Sequence, residues 1–284
     1  MNSCRLLFFC FFISITSVNS QGLLDELNEE ISEQTEYTEA TFKDTRIVNL
    51  QSNETPGKNV LHFVILHRFG KINDGFYDLF GLDNADMKMS FDYGITDEIA
   101  ISLARSNYLK TFEGSLKAKI LKQSTGFQKM PVSITLYSVT FYTNYSDFEF
   151  NHIQRMSFVH QVIITKKFNN NYSLALVPSI VHKNIIDQPY ELHDNFVLGI
   201  GGRYKVSPRV SVNGEYNLRL NPNEYDPSNN GLSIGCDIET GGHVFQLHVT
   251  NSRGMFESSF LTENGSWTDG DVYFGFNLSR VFNL

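Results

Sequence analysis

The sequence predicts an all-β protein: a closed antiparallel up-and-down transmembrane β-barrel of about 12 strands, preceded by a short N-terminal segment. Three observations carry this. From Val60 onward, about a dozen short segments show period-two hydrophobicity. The connectors between them alternate between tight turns and long polar loops. The last alternating run, from Val272, continues to Leu284. Strands of about 9–12 residues, joined alternately by short and long connections, fit a tilted crossing of the hydrocarbon layer.

The chain begins with an export-signal pattern. Arg5 precedes the apolar run from Leu6 to Val18, and Val18-Asn19-Ser20 provides a cleavage site, so residues 1–20 are expected to be a signal peptide and Gln21 the mature start. Residues 21–57 are expected to form an acidic periplasmic leader with about nine acidic and two basic side chains. Leu23, Leu24, Leu27 and Ile31 fall at helical spacing among Asp25, Glu26, Glu29, Glu30 and Glu33, which points to a short amphipathic helix; an unstructured acidic tail is the other reading. Asn53-Glu54-Thr55-Pro56-Gly57 is a turn signal that separates this leader from the barrel at 58–284.

The predicted strands are 58–69, 85–93, 98–106, 111–123, 131–143, 155–168, 172–181, 195–206, 210–220, 231–240, 243–251 and 271–284. Within Ser211–Leu220, Val212, Tyr216 and Leu218 alternate with Asn213, Glu215, Asn217 and Arg219. Within Leu232–Glu239, Leu232, Ile234, Cys236 and Ile238 alternate with Ser233, Gly235, Asp237 and Glu239. Apolar-out, polar-in alternation is the signature of a lipid face and a lumen face.

Turn chemistry fixes the register. A two-residue Gly241-Gly242 hairpin pairs Ile238 with Phe245, Cys236 with Leu247 and Ile234 with Val249. Ser207-Pro208-Arg209 pairs Tyr204 with Val212, Ile200 with Tyr216 and Leu198 with Leu218. Asn169-Asn170-Asn171 pairs Ile164 with Leu176 and Val162 with Pro178, where a bulge is expected because proline cannot donate to the ladder. Tight turns follow the even-numbered strands, which places them and both termini in the periplasm, with the long loops outside.

Composition narrows the function. One cysteine, Cys236, follows the signal, so disulfides do not hold the fold. The barrel region is nearly neutral, about 22 acidic to 20 basic side chains, which excludes a basic nucleic-acid-binding face. By parity the lumen holds Arg68, Lys88, Lys117, Lys119, Arg203 and Arg219 against Asp92, Glu113, Glu215, Asp237 and Glu239. Lys117, Lys119, Arg203, Glu215, Arg219, Asp237 and Glu239 are the lumen-lining candidates. They either set the preference of a narrow channel for small solutes or form a self-neutralising network that fills the bore. His182 and His193 flank one long loop and give only a weak metal hint. No HExxH occurs, and His160 lies on the apolar face of its strand with no evident polar group to orient it, so no enzymatic activity, catalytic residue, metal or cofactor is expected.

Several local patterns also resemble a known family. They are Ala40-Thr41-Phe42-Lys43-Asp44-Thr45-Arg46-Ile47, Glu54-Thr55-Pro56-Gly57-Lys58, His67-Arg68-Phe69-Gly70, Leu79-Phe80-Gly81-Leu82-Asp83, Phe91-Asp92-Tyr93-Gly94-Ile95-Thr96-Asp97, Gln123-Ser124-Thr125-Gly126, and the closing Phe274-Gly275-Phe276-Asn277-Leu278-Ser279-Arg280-Val281-Phe282. Together, over about 40–284, they resemble a Gram-negative outer-membrane β-barrel family defined as a domain of unknown function. The resemblance implies a signal-bearing barrel in the cell outer membrane and brings no ligand or reaction. The expected partners are outer-membrane lipid and either a small solute or a periplasmic or cell-surface protein. The leading function is a narrow channel or transporter; the alternative is a non-conducting scaffold that binds a partner, with a membrane-embedded enzyme a distant third.

Overall fold

The computed structural model describes residues 34–144, 149–186 and 188–284. The expected signal peptide and leader helix lie outside them. Twelve strands form one closed antiparallel barrel: β1 Val60–Lys71, β2 Ala85–Gly94, β3 Ile99–Ser106, β4 Thr111–Leu121, β5 Ser133–Thr143, β6 Met156–Lys167, β7 Tyr172–Lys183, β8 Asp194–Lys205, β9 Val210–Arg219, β10 Gly231–Thr240, β11 His243–Thr250 and β12 Tyr273–Asn283. Each strand pairs with its neighbours in sequence, and β12 closes on β1 with Phe276 opposite His67 and Leu278 opposite Ile65. Among the described residues no helix is long and apolar enough to cross a membrane. The crossing is made by strands, which pair around a closed ladder.

The three predicted hairpin registers hold. Ile238 faces Phe245 and Cys236 faces Leu247 across the Gly-Gly turn. Ile200 faces Tyr216 across β8 and β9, and Ile164 faces Leu176 across β6 and β7. The expected bulge at Pro178 is absent: Gln161–Ser179 and Ile164–Leu176 keep one register on either side of it. The ladder there forgoes its bridges without inserting a residue. True register shifts occur at Tyr273/Gly275 and at Lys119/Leu121.

The outer surface is apolar along its whole circumference. Leu103, Leu116, Ile180, Ile200, Val212 and Ile234 are all exposed, which only a lipid environment makes favourable on this scale. The tight turns gather at one mouth, here the turn mouth, and the long connections at the other, the loop mouth. Phe168, Tyr172, Tyr204 and Phe282 sit near the strand ends at the turn mouth.

The motifs that run between strands pack in pairs. At the turn mouth Gly94 lies so close to Gly57 that a Cβ on Gly94 would stand 2.0 Å from the Gly57 carbonyl oxygen. Lys58 N donates to Asp97 Oδ1 at 2.9 Å, and Thr55 Oγ1 to the Asp97 carbonyl at 3.1 Å. At the loop mouth Gly81, with φ +86°, lies against Gly70 with no room for a side chain. Each pair joins one end of a strand to the segment that passes over it.

The bore is full. Residues 40–57, expected in the periplasmic leader, enter the barrel instead. They turn back as a hairpin: Ile47 N donates to Leu50 O and Ser52 N to Thr45 O, with Val48 and Asn49 at the tip. Thr35–Tyr37 pairs with Ser124–Gly126 outside the turn mouth, so the segment enters and leaves at that mouth. From the loop mouth the connection between β11 and β12 folds inward and carries the short helix α1, Glu257–Phe260, every residue of which is buried.

Candidate functional site

The lumen wall is divided into two chemically different halves, and the two inserted segments match it. On β5–β8 the inward-facing side chains include Tyr137, Val139, Phe141, Val159, Ile163, Ala175, Val177, Val181 and Val197. An apolar wall facing water is unfavourable. Here it is covered by Phe42, Ile47 and Leu50 from the hairpin and by Phe256, Phe260 and Leu261 from the β11–β12 loop, in one cluster. The polar-in reading of the alternation did not anticipate this apolar inner wall. The signal lies in Leu174-Ala175-Leu176-Val177, where alternation fails because the outward side chains face lipid while the inward ones, Ala175 and Val177, are buried against the apolar cluster.

The other half of the wall is polar and holds the hairpin by its backbone. Glu215 accepts hydrogen bonds from Val48 N at 3.1 Å, Asn49 N at 2.9 Å and Leu50 N at 2.9 Å. A hairpin tip has amides with no partner of its own, and one carboxylate satisfies all three. Gln246 Nε2 donates to Ile47 O at 2.6 Å and Asn277 Nδ2 to Val48 O at 3.2 Å, so the tip carbonyls are satisfied as well. Lys117 Nζ donates to the carbonyls of Thr45 (3.0 Å), Ser52 (3.2 Å) and Glu54 (3.3 Å). Arg203 donates to the carbonyls of Ala40 (3.1 Å) and Thr41 (3.2 Å). Glu239 forms an ion pair with Lys43 of the hairpin.

The lumen-lining candidates therefore fall into distinct groups. Lys117, Arg203, Glu215 and Glu239 grip the hairpin. Asp237 stands behind it, accepting from Asn213 and Gln246 at 2.6 Å each and so orienting the Gln246 amide. Arg219 is held away from the hairpin, near the loop mouth, by Asp226 and the Ser228 carbonyl. Lys119 borders a separate surface hollow at the turn mouth with Tyr37 and Glu98.

Side chains outside that set join the two inserted segments. Arg46 Nη1 of the hairpin lies 2.9 Å from Glu257 Oε1 of α1, and Gln51 Nε2 donates to the same oxygen at 2.7 Å. Arg68 of β1 donates to Asn49 Oδ1 at 2.9 Å on the hairpin and to the Ser252 carbonyl at 2.5 Å on the loop. Lys88 pairs with Glu113 at 2.6 Å and donates to the Met255 carbonyl at 3.1 Å. His62 lies between Asp44 of the hairpin at 3.1 Å and Asp92 of β2 at 3.4 Å.

The charge pairing acts on the inserted groups. Burial alone would raise Asp44, but the adjacent His62 and hydrogen bonds hold its carboxyl below the ordinary value of 3.8. Burial likewise opposes ionisation of Glu257, and the charges of Arg46 and Lys88 outweigh it and keep the group below 4.5. Two small voids lie beside the hairpin, one between Arg46, Asp92 and Lys117 and one between Asp44, Val64 and Asn277; each has about 10 Å³, room for about one water. Such voids do not add up to a path for solute.

The histidines of the outer loop do meet. His182 and His193 stack with centroids 6.5 Å apart, but His182 uses both ring nitrogens on Asp194 and Asn184, and His193 Nδ1 bonds the Lys183 carbonyl. Among the described residues no group of three metal-ligating side chains forms.

An apolar exterior, a closed ladder and a bore filled from both mouths define a membrane-bound β-barrel with internal plugging segments. Residues 42–282 match the family described as membrane bound beta barrel domain (DUF5777), and the chain belongs to that family. The match begins at Phe42, within the hairpin, so the plug is part of the family domain. No curated protein sequence matches the chain. Among solved structures it is similar to the NanC porin (8% identity, TM-score 0.49, covering 79% of this chain and 99% of that one). It is also similar to an outer membrane channel from Pseudomonas putida F1 (14% identity, TM-score 0.46, 81% and 97%) and to outer membrane phospholipase A from Escherichia coli (11% identity, TM-score 0.46, 84% and 95%).

Proposed function

We propose that this chain is a non-enzymatic barrel of the cell outer membrane, closed at rest, that becomes a narrow conduit for small solutes when its N-terminal hairpin withdraws through the turn mouth. In this reading the turn mouth and both termini are periplasmic and the long loops face outside, following the usual distribution of short and long connections. The observation that carries the proposal is the topology of the hairpin. It fills the bore from the turn mouth, and both its ends lie at that mouth, so it can leave without threading a terminus through the barrel. The polar half of the wall holds it through hydrogen bonds that water can replace. Emptied of it, that half would present Lys117, Arg203, Glu215, Asp237 and Glu239 to solute.

The second reading is a non-conducting scaffold, favoured by the apolar cluster of Phe42, Ile47 and Leu50 on β5–β8. Planar-bilayer recording separates the two. A chain carrying Cys236→Ser, Ile47→Cys and Gly201→Cys joins the hairpin to β8, because a Cβ on Gly201 would stand 2.4 Å from Ile47 Cδ1. The conduit reading expects silence when oxidised and openings when reduced under applied voltage or mild denaturant. Silence in both states, with a folded barrel, supports the scaffold.

A further inference from the structure

Ser138 of β5 and His160 of β6 face each other across the ladder on the outer, lipid-facing surface, with Ser138 Oγ 2.9 Å from His160 Nδ1. Polar side chains on that surface are costly, and this pair satisfies one nitrogen of the ring. In the tautomer set by Ser138 donating to Nδ1, the proton sits on Nε2, which has no partner among the described residues.

The surroundings of the pair are shaped for an occupant. Ala118 of β4, Ser138 of β5 and Pro178 of β7 are small or short outward side chains, and they leave a groove of about 620 Å³ in the outer wall. Its sides are Leu116, Leu136, Val162, Phe196 and Leu220. Outward positions on β5 and β6 descend from the loop mouth as Tyr142–Met156, Thr140–Phe158 and Ser138–His160. Phe158 stacks on His182, which it faces at the loop-mouth end of β7. The pair therefore lies one outward step, about 7 Å along the strand, below an aromatic layer of the kind that marks a membrane interface. At that depth the donors a bilayer lacks are met by the ester carbonyls of its own lipids, just above their acyl chains.

We propose that this groove binds an ester-linked acyl chain of one lipid of the loop-mouth leaflet, its carbonyl accepting from His160 Nε2 and its hydrocarbon lying over Ala118 and Pro178. Ser138 is a positioning residue that fixes the ring, and the site is separate from the bore.

The test uses the full-length protein in nanodiscs and compares diacyl phosphatidylcholine with its dialkyl ether analogue, which lacks the carbonyls, by competition against a spin-labelled lipid. Wild type is expected to prefer the ester lipid by roughly three- to ten-fold, the worth of one hydrogen bond. His160→Phe is expected to abolish that preference, and Ser138→Val to reduce it. Heat-modifiable gel mobility checks that each variant is folded. Equal affinity of wild type for the two lipids overturns the proposal, as does a preference that persists in folded His160→Phe. Occupation of the groove by a second copy of the chain, seen as a dimer that excludes the spin label, also overturns it.

Discussion

Arg46 and Glu257 meet 2.9 Å apart inside the barrel, one carried in from the turn mouth and the other from the loop mouth. They are separated by 211 positions in the chain and belong to no strand. Each inserted segment is thereby the other's counter-charge, and neither can leave without stranding a buried ion. The two halves of the closure are coupled through this contact.

Removing one partner should cost more than removing both. Arg46→Met and Glu257→Met are each expected to destabilise the folded barrel by about 3–5 kcal/mol, because each leaves an unpaired buried charge. The double variant should cost clearly less than the sum, since the site can then close with apolar side chains. Guanidinium unfolding in liposomes, read as a double-mutant cycle, measures the coupling; strict additivity would show that the two segments are held independently.

Glu215→Leu removes the acceptor for three tip amides, at roughly 1–3 kcal/mol each. The strands of the barrel keep their ladder, so the loss should fall on the hairpin. Limited proteolysis from the turn-mouth side is expected to cut within 40–57 in the variant and not in wild type, and brief conductance events should accompany it. Glu215→Gln, which retains one acceptor oxygen, should fall between the two.

Size exchange tests the fit of the tip. Gly201→Val places branched carbons where Ile47 now lies and is expected to displace the hairpin and raise open probability. Adding Ile47→Ala should restore closure by clearing that space. If the second substitution fails to rescue, the effect of the first is on β8 itself.

Acid should loosen the plug only at low pH. Asp44 and Glu257 are both held below their ordinary values of 3.8 and 4.5. A depressed folded value means the contribution is present in full above the unfolded value and is lost as pH falls through the folded one. Protease resistance of 40–57 is therefore expected to be constant from about pH 8 to about pH 5 and to decline only below about pH 4. A transition near pH 6 would assign control of the hairpin to other groups.

The barrel was legible because its rules are local. Alternation in Ser211–Leu220 and the Gly241-Gly242 turn fix which side chains face lipid and which residues pair, and the structure keeps both. The plug was not legible because its partners are remote. Thr45–Ser52 is only three cross-pairs and a two-residue tip with no strong periodicity, and what orders it is Glu215, Lys117 and Gln246, 72 to 199 positions away. Lys117, Arg203 and Glu215 bond the backbone of the hairpin, which has no sequence signature, while Lys119 borders a surface hollow. The failed alternation in Leu174–Val177, like that in Val162-Ile163-Ile164, was a local trace of an apolar plug.

That the hairpin shares a mouth with β1, to which Lys58 and Asn59 join it directly, gives the closure a kinetic character. Once displaced, the hairpin stays tethered at the entrance, so its return is a first-order event at an effective concentration set by a few residues of chain. Resealing should then proceed at the same rate in a single isolated molecule as in a crowded membrane, and would need no second protein to find the pore.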